Sequence, residues 1–381
     1  MKRSLAILVL ALAAGVGAAP GKTSGGGCSA PLPEGKAGLP AAVVVTTDCG
    51  RFRLEPDGSV TYAGKWKSPV PPVARGYWPD TLAWYGVAHG HVVIGRGMKQ
   101  LWRSHGTYPH GRYLDVGGVV LGRGRVAFSY YRGRQSYVLV ARYGQAERLV
   151  ARGEVPLAFS SGRLVTWRES GKTLLLHSGG TVRFLAHAID PQVDHESRMV
   201  VFRSNGELYA FDGERIRDLI SLRKHGVTGP PTVEPLGRWV AAHDRRRLVV
   251  VGYDDRLFAS TALPRSRHRV DGVTSPVAAD ADGTAVAFTL TSGNLLRETV
   301  YLLARGTHRA KPLLSEKFVG GGGCGAGAWL AWRGPWLLYA NAGQQAAVID
   351  SSGRSPALQL SDVIAQLPST DGEGVFNADW A

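Results

Sequence analysis

Two histidines separated by one glycine, His89 and His91, form the pattern in this chain that most resembles a metal-binding motif. A His-x-His pair supplies two ligands to zinc or copper, but a complete site needs three or four convergent donors. Asp190 and Asp280 would complete such a site if the fold brought them to the same cavity. Without a metal, the histidines form a turn before a strand, and each aspartate hydrogen-bonds the backbone of its following turn. We expect the second arrangement, with no resident metal or cofactor.

Nucleophilic catalysis has little support in the sequence. A serine hydrolase of the α/β type needs an exposed Gly-x-Ser-x-Gly turn followed by an acid and a histidine, and no such series occurs. The glycines at 320–323 lack the Lys-Ser/Thr pair and the strand-to-helix setting of a phosphate-binding loop. We predict no catalytic residues.

Aromatic residues are abundant, with ten tryptophans. Tyr77, Trp78, Trp84 and Trp102 lie close together in the sequence and could form a platform for a sugar or polymer. Five others lie in or beside strand-like segments, where we expect them to fill space between packed sheets: Trp167, Trp239, Trp329, Trp332 and Trp336.

The chain has 45 Lys and Arg against 30 Asp and Glu, a net charge of +15. The densest basic runs, residues 245–247 and 265–269, fit either solvated loops or a binding patch. The charge favours an anionic partner, either a protein or an envelope polymer. Nucleic acid is not expected, because no aromatic residues interleave a basic stripe.

The first 19 residues have the composition of a cleaved signal peptide: Lys2 and Arg3, an apolar stretch, then small residues. The apolar stretch is about ten residues, short of the roughly 20 that span a bilayer, which leaves an uncleaved anchor as the weaker alternative. Losing Lys2 and Arg3 lowers the net charge from +15 to +13. We expect a secreted, periplasmic or envelope protein with no transmembrane segment after cleavage. Residues 20–40, rich in Gly, Pro and Ser, are predicted to be a flexible linker to a folded domain at 41–381.

Short β-prone runs recur along that domain about every 41 residues, too short and too β-branched for helices. They are residues 91–94, 125–128, 163–167, 198–202, 238–242, 284–288 and 335–339.

The clearest unit spans residues 191–219 and contains four strand-like segments joined by three tight turns. Asn205-Gly206 and Asp212-Gly213 are the dipeptides that two-residue hairpins favour. Each unit is therefore predicted to be a four-stranded antiparallel meander. Because one meander cannot bury both of its faces, several must pack around an axis as the blades of a β-propeller.

The sequence Val-Ala-Ala-Asp-Ala-Asp-Gly-Thr-Ala-Val-Ala-Phe at 277–288 resembles the strand, turn, strand signature of TolB-like β-propellers, a WD40-like repeat group. Residues 193–202 and 232–242 resemble it more loosely, and 46–59 is similar to its second half. The resemblance implies a propeller that serves as a binding or scaffold module, and it carries over no catalytic residues.

The two ends of the domain are complementary. Residues 43–62 have room for three strands, and 375–380 could supply the missing inner strand, closing the ring and protecting its edge. Eight blades are favoured, with seven possible. Closure would bring Cys49 and Cys324 together, and a disulfide between them is predicted, with Cys28 as a competing partner.

The sequence thus predicts an all-β, monomeric, exported propeller that binds a protein or an anionic envelope polymer without catalysis. The alternative is a propeller enzyme of lyase, lactonase or dehydrogenase type, with a metal or a His/Asp site in the central channel. A structural repeat with no discrete ligand also stays open.

Overall fold

The computed structural model describes most of the domain as short antiparallel strands. It covers residues 28–47, 49–64, 83–88, 90–96, 99–108, 116–194, 199–229, 231–263, 270–273, 277–292, 297–317, 328–341, 345–368 and 377–381. Within these ranges the strands form eight sheets, which we call blades 1–8 in chain order. The prediction of an all-β propeller with eight blades is confirmed.

Blades 1–4 hold the first 14 strands of the chain. They are β1 (Val43–Thr47), β2 (Gly50–Leu54) and β3 (Val60–Gly64) in blade 1; β4 (Ala83–Ala88), β5 (His91–Arg96) and β6 (Lys99–Arg103) in blade 2; β7 (Val116–Gly122), β8 (Arg125–Arg132), β9 (Gln135–Arg142) and β10 (Arg148–Arg152) in blade 3; and β11 (Val155–Ser160), β12 (Arg163–Arg168), β13 (Thr173–Ser178) and β14 (Thr181–His187) in blade 4.

Blades 5–8 follow, and the last strand returns to blade 1. They are β15 (Ile189–Asp194), β16 (Met199–Ser204), β17 (Glu207–Phe211) and β18 (Ile216–Ser221) in blade 5; β19 (Thr232–Pro235), β20 (Trp239–His243), β21 (Arg247–Gly252) and β22 (Leu257–Ala262) in blade 6; β23 (Val270–Val273), β24 (Ala278–Ala279), β25 (Ala285–Ser292), β26 (Arg297–Ala304) and β27 (Lys311–Lys317) in blade 7; β28 (Ala328–Arg333), β29 (Trp336–Asn341), β30 (Ala346–Asp350) and β31 (Leu358–Gln359) in blade 8; and β32 (Asn377–Trp380).

Helix is confined to one short segment, α1 (Ser361–Ile364), and a 3-10 turn at Glu169–Gly171, as far as the structure describes the chain. None of the described helices has the length and apolar composition needed to cross a bilayer.

The turns form where the sequence permits left-handed backbone. Asn205 and Gly206, between β16 and β17, have φ values of 51° and 84°, as a hairpin of the predicted kind requires. At the turn between β17 and β18, the Asp212 carboxylate accepts hydrogen bonds from the backbone N–H groups of Glu214 and Arg215. The four-stranded meander predicted for this unit is confirmed.

Apolar clusters between neighbouring blades form the core. Among the described residues, seven such clusters join successive pairs from blades 2 and 3 through to blades 8 and 1. Because each blade is covered on both faces, the central strands carry continuous buried runs, and Val126, Ala127 and Phe128 are each 0% exposed. The tryptophans predicted to fill these junctions do so: Trp167, Trp239, Trp329, Trp332 and Trp336 all pack against such clusters.

The N-terminal and C-terminal strands pair, as predicted. β32 lies antiparallel to β1, with Val43 opposite Trp380 and Thr46 opposite Asn377, and supplies the fourth strand of blade 1. The Trp380 indole N–H donates to the carbonyl of Ala331 in blade 8 at 3.0 Å. Trp332 repeats this contact one blade earlier, donating to the carbonyl of Ala278 at 3.1 Å. The final strand therefore occupies the position of an ordinary inner strand.

The disulfide prediction is wrong. Cys49 is bonded to Cys28, with their Cα atoms 5.0 Å apart, and not to Cys324, which lies outside the described residues. The physical reason is that the segment before β1 lies against blade 1: Gly35 and Gly38 donate backbone hydrogen bonds to the carbonyls of Gly58 and Pro56 at 2.8 and 2.9 Å. Residues 28–40, assigned to the linker from their composition, are thus hydrogen-bonded to the domain.

Two faces follow from the strand order. The turns between the second and third strands of each blade, and the connections from one blade to the next, lie on one face, which we call the upper face. The remaining turns lie on the lower face. Loops at such faces carry function in many rigid scaffolds.

Candidate functional site

Glu154, just before β11, is a buried carboxylate that holds blade 4 together. It accepts hydrogen bonds from the Thr166 hydroxyl at 2.5 Å and the Arg168 guanidinium at 2.7 Å, and its Oε2 lies 2.8 Å from the His177 ring. Burial alone would raise the pKa of Glu154, but the hydrogen bonds from His177, Thr166 and Arg168 outweigh it and hold the pKa below its usual value. This group ties β11 to β12 and β13, which is a structural role.

A second buried carboxylate, Glu298 in β26, joins blades 7 and 8. It accepts hydrogen bonds from Thr289 at 3.0 Å, from the Tyr339 hydroxyl at 2.6 Å and from the Asn341 amide at 3.1 Å. Burial raises the pKa of Tyr339 first, and the neighbouring Glu298 charge raises it further. Tyr339 therefore stays a neutral donor, and the contact serves blade packing.

The residues considered for a metal site do not converge. His91, at the lower end of β5, has its Nδ1 3.0 Å from the carbonyl of Ser104. Asp190, at the upper end of β15, forms an ion pair with Arg203. Asp280, at the lower end of β24, accepts hydrogen bonds from the backbone N–H groups of Thr284 and Ala285 at 2.7 and 3.1 Å. Asp190 and Asp280 thus lie at opposite ends of inner strands in different blades.

His89 lies outside the described residues. Over the described part of the chain, no group of three His, Cys, Asp or Glu side chains is placed to hold a metal ion. The His/Asp channel site of the enzyme alternative therefore gains no geometric support from the residues that can be placed.

Of the four aromatic residues predicted to form a platform, the structure describes the side chain of Trp102 alone. Trp102 is only 3% exposed and packs between blades 2 and 3 against Phe128, with ring centroids 5.6 Å apart. Its indole N–H donates to the carbonyl of Gln145 at 3.3 Å. Trp102 is a core residue because its strand is covered by blade 3. Tyr77, Trp78 and the side chain of Trp84 lie outside the described part of the structure.

A group of basic residues on the upper face is the strongest candidate site. It consists of Arg203, Arg223, Lys224, His225 and residues 245–247, and we call it the basic cluster. Arg203 lies at the upper end of β16. Residues 223–225 belong to the connection from blade 5 to blade 6, and 245–247 form the turn between β20 and β21 and the start of β21. The topology therefore collects residues that are about 40 positions apart in the sequence.

Contacts within the basic cluster show that its parts adjoin. A Cβ at Gly206 would collide with the Nε of Arg223, so the Arg223 side chain lies across the β16–β17 turn. A Cβ at Gly226 would lie 2.8 Å from the Cδ of Arg247, so that side chain lies against the inter-blade connection. Burial, and then the Arg247 charge, lower the pKa of His225. Gly206 and Gly226 also have φ values of 84° and 75°, a backbone conformation that L side chains rarely adopt.

Asp244 shapes this part of the upper face and adds one negative charge to it. Its carboxylate accepts hydrogen bonds from four backbone N–H groups, those of Arg246 and Arg247 at 2.7 and 2.9 Å and those of Thr228 and Gly229 at 3.0 and 3.1 Å. Burial would raise the pKa of Asp244, but these four donors outweigh it and lower the pKa. The carboxylate thus fixes the connection to the turn and is occupied by the backbone.

On the lower face of blades 5 and 6, several arginines form ion pairs with carboxylates. Asp212 pairs with Arg217 at 2.7 Å and with Arg215 at 3.7 Å, and Asp254 lies 3.5 Å from Arg256. On the upper face, Arg203 pairs with Asp190. Lys224, Arg223 and residues 245–247 form no ion pair with any residue that the structure describes. Among the described residues of blades 5 and 6, cations without an ion pair are therefore more numerous on the upper face, and Arg238 is the lower-face example.

Next to the basic cluster lies a recess of about 300 Å³ between the upper end of blade 5 and the connection to blade 6. Polar and apolar residues contribute to its lining about equally: Ile189, Arg203, Gly206, Leu222, Arg223, Val227, Thr228, Gly229 and Pro231. The recess therefore brings Arg203 and Arg223 to the same part of the upper face.

The sequence indicated only part of this site. The run at 245–247 was visible as a possible patch, whereas Arg203 and Arg223 are single arginines in a chain rich in them. Gly206 lies where the Arg223 side chain crosses the β16–β17 turn. A hairpin turn favours glycine at this position in any case, so Gly206 did not indicate the arginine. The second basic run, 265–269, lies outside the described residues.

Comparison with solved structures supports the propeller fold. Apo AztD from Citrobacter koseri superposes with a TM-score of 0.50 at 10% identity, covering 89% of this chain and 97% of that chain. BamB from Moraxella catarrhalis gives 0.42 at 18% identity over 74% and 83%, and Sqt1 from Saccharomyces cerevisiae gives 0.47 at 11% over 76% and 84%. Likeness at such identity concerns the fold alone. Neither a protein-family model nor a curated protein matches the chain, so the TolB-like resemblance stays a hypothesis.

Proposed function

We propose that the chain is an exported, non-catalytic β-propeller that binds a partner rich in carboxylates, either a protein or an envelope polymer, through the basic cluster. The observation that carries this proposal is the set of uncompensated cations on the upper face of blades 5 and 6. Arg223, Lys224, Arg245 and Arg246 are exposed and make no ion pair with a described residue, whereas on the lower face Arg215, Arg217 and Arg256 have acidic partners and Arg238 has none among the described residues.

Export is supported by two features. The signal-peptide composition of residues 1–19 predicts secretion. The disulfide between Cys28 and Cys49 fits an oxidising compartment, where such bonds form and persist. With 1–19 removed the chain retains a net charge of +13, which favours association with anionic material.

The basic residues lie on a rigid part of the fold, which favours binding. The connection that carries Arg223 and Lys224 is fixed by the four hydrogen bonds to Asp244 and by burial of Leu222 and Val227, which are 2% and 3% exposed. Less conformational entropy is therefore lost on binding than for charges on a free loop.

The test uses two double variants of blade 6 with the same net charge. Arg245→Gln with Arg246→Gln removes two exposed charges from the upper face, and Arg238→Gln with Arg256→Gln removes two from the lower face. Binding to immobilised poly-glutamate is measured at 50 and 200 mM salt. Two exposed ion pairs at about 0.5–1 kcal/mol each predict roughly tenfold weaker binding for the upper-face variant.

The lower-face variant should bind within about twofold of the unmodified protein. Equal loss in both variants would mean that binding follows net charge and not this face, and would refute the proposal. Absence of saturable binding to poly-glutamate at 50 mM salt would refute it as well.

A further inference from the structure

We infer that His225 makes binding by the basic cluster depend on pH: association with a carboxylate-rich partner takes up a proton at His225 and is tighter in mildly acidic solution than at neutral pH. This inference rests on the proposed binding role of the same face and names a regulation of that site. His225 is half-buried in the connection from blade 5 to blade 6.

A hydrogen-bonded turn fixes the position of His225. Its backbone N–H donates to the carbonyl of Leu222 at 3.2 Å, and the N–H of Val227 donates to the same carbonyl at 3.0 Å. The N–H of Leu222 in turn donates to the carbonyl of Gly206 in the β16–β17 turn at 3.1 Å. The turn therefore holds His225 at a defined place in the basic cluster.

The nearest charges on the two sides of His225 are positive. Arg223 and Lys224 precede it in the same turn and are exposed. Arg247, at the start of β21, lies against the next residue, Gly226. Burial, and then the Arg247 charge, lower the pKa of His225, so the ring is mostly neutral at pH 7.

The β20–β21 turn adds Arg245 and Arg246, which are exposed, and Asp244. The Asp244 carboxylate accepts hydrogen bonds from four backbone N–H groups. It offsets one of the cations and forms no ion pair with His225.

The strands on the other side of the connection contribute Arg203, Asp190 and Glu207. Asp190 pairs with Arg203, and Glu207 accepts a hydrogen bond from the Ser221 hydroxyl at 2.9 Å. Together with the turn and the connection, these elements carry six cations and three carboxylates, a balance of +3 before His225 is counted. Among the described residues, no carboxylate pairs with His225.

Two other histidines already face a carboxylate. His177 lies 2.8 Å from Glu154, and His243 lies 3.3 Å from Glu234. At His225 the opposite charge has to come from the partner. A bound carboxylate offsets the Arg247 charge and raises the pKa of His225, so the ring takes up a proton. By linkage, the gain in affinity is present below the pKa of the complex and is lost as pH rises through it.

Binding of poly-aspartate to the intact protein is measured at pH 7.5 and pH 5.5, because aspartate, with an ordinary pKa of about 3.9, is ionised at both. The affinity should be roughly threefold higher at pH 5.5, the effect of one exposed charge pair. Calorimetry at pH 6 in MES and in Bis-Tris, which differ in ionisation enthalpy, should show proton uptake on binding. The NMR signal of the His225 ring should titrate at higher pH when poly-aspartate is bound.

His225→Gln removes the titrating ring and identifies its NMR signal. This variant should bind poly-aspartate at pH 7.5 within about twofold of the unmodified protein, but lose the increase at pH 5.5 and most of the proton uptake. The matched control is His105→Gln, which removes an exposed histidine just after β6, at the lower face, and should retain both effects. A melting curve for each variant verifies that the fold is retained.

Four results would overturn the inference: equal affinity at both pH values, a pH response that His225→Gln leaves intact, an equal loss of the response in both variants, or a His225 titration that poly-aspartate does not move. Each of these leaves the proposed function standing, because binding at pH 7.5 does not need a charged His225. Absence of poly-aspartate binding at both pH values would refute the proposed function and this inference together.

Discussion

Replacing Trp380 with alanine should loosen the junction between blade 1 and blade 8. The indole packs against the apolar cluster shared by these two blades and donates to the carbonyl of Ala331 at 3.0 Å. Buried Phe or Trp to Ala changes destabilise by about 3–5 kcal/mol, and since Trp380 is only partly buried we expect about 2–3 kcal/mol. Roughly 1 kcal/mol of this belongs to the hydrogen bond, so Trp380→Phe should lose less.

The matched control is Trp332→Ala, which removes the equivalent contact one blade earlier, to the carbonyl of Ala278. Urea unfolding gives the loss of free energy, and hydrogen exchange gives its location. Trp380→Ala should increase amide exchange in β1 and β32 specifically, because those strands depend on each other for pairing. Trp332→Ala should not. The reasoning is refuted if Trp380→Ala costs less than about 1 kcal/mol, or if exchange in β1 and β32 rises equally in both variants.

Two further stability predictions concern blades 1 and 4. Cys49→Ser opens a disulfide between residues 21 positions apart, which the loop-entropy relation values at about 3 kcal/mol. Urea unfolding should show a loss of this size and a similar one on reduction of the unmodified protein; a loss below about 0.5 kcal/mol would mean that the segment before β1 contributes little. Glu154→Gln should destabilise at pH 7 by about 1–3 kcal/mol. Because the pKa of Glu154 is lowered on folding, its contribution is present above its ordinary pKa and lost as pH falls through the folded value. The variant's stability should therefore depend less on pH below about pH 5, and an unchanged acid profile would contradict this assignment.

Regular features of the fold were predictable because they depend on local pattern. Asn205-Gly206 specified a hairpin through the backbone angles that both residues adopt. The alternation of short apolar runs and turns predicted the blades, and the incomplete first unit predicted the pairing of β32 with β1. Each of these inferences needs only periodicity and the rule that strand edges and apolar faces must be covered.

Features that depend on contacts between blades were not predictable in the same way. Cys28 pairs with Cys49 because the preceding segment lies along blade 1, and a Gly- and Pro-rich segment carries no pattern that indicates this. Trp102 is buried because blade 3 packs against its strand, and the sequence of the strand itself does not indicate that contact. Arg203 and Arg223 border the same recess only because the Arg223 side chain lies across the β16–β17 turn. Single residues brought together by tertiary packing leave no spacing signal.

The account depends most on the claim that the upper face of blades 5 and 6 is the binding surface. Hydrogen exchange of the intact protein with and without poly-glutamate locates that surface directly. The account predicts slower exchange in the connection at 222–229 and the turn at 244–247, with no change in the lower-face turns at 212–215 and 253–256. Protection in the lower-face turns, or saturating binding with no protection at 222–229 and 244–247, would contradict it.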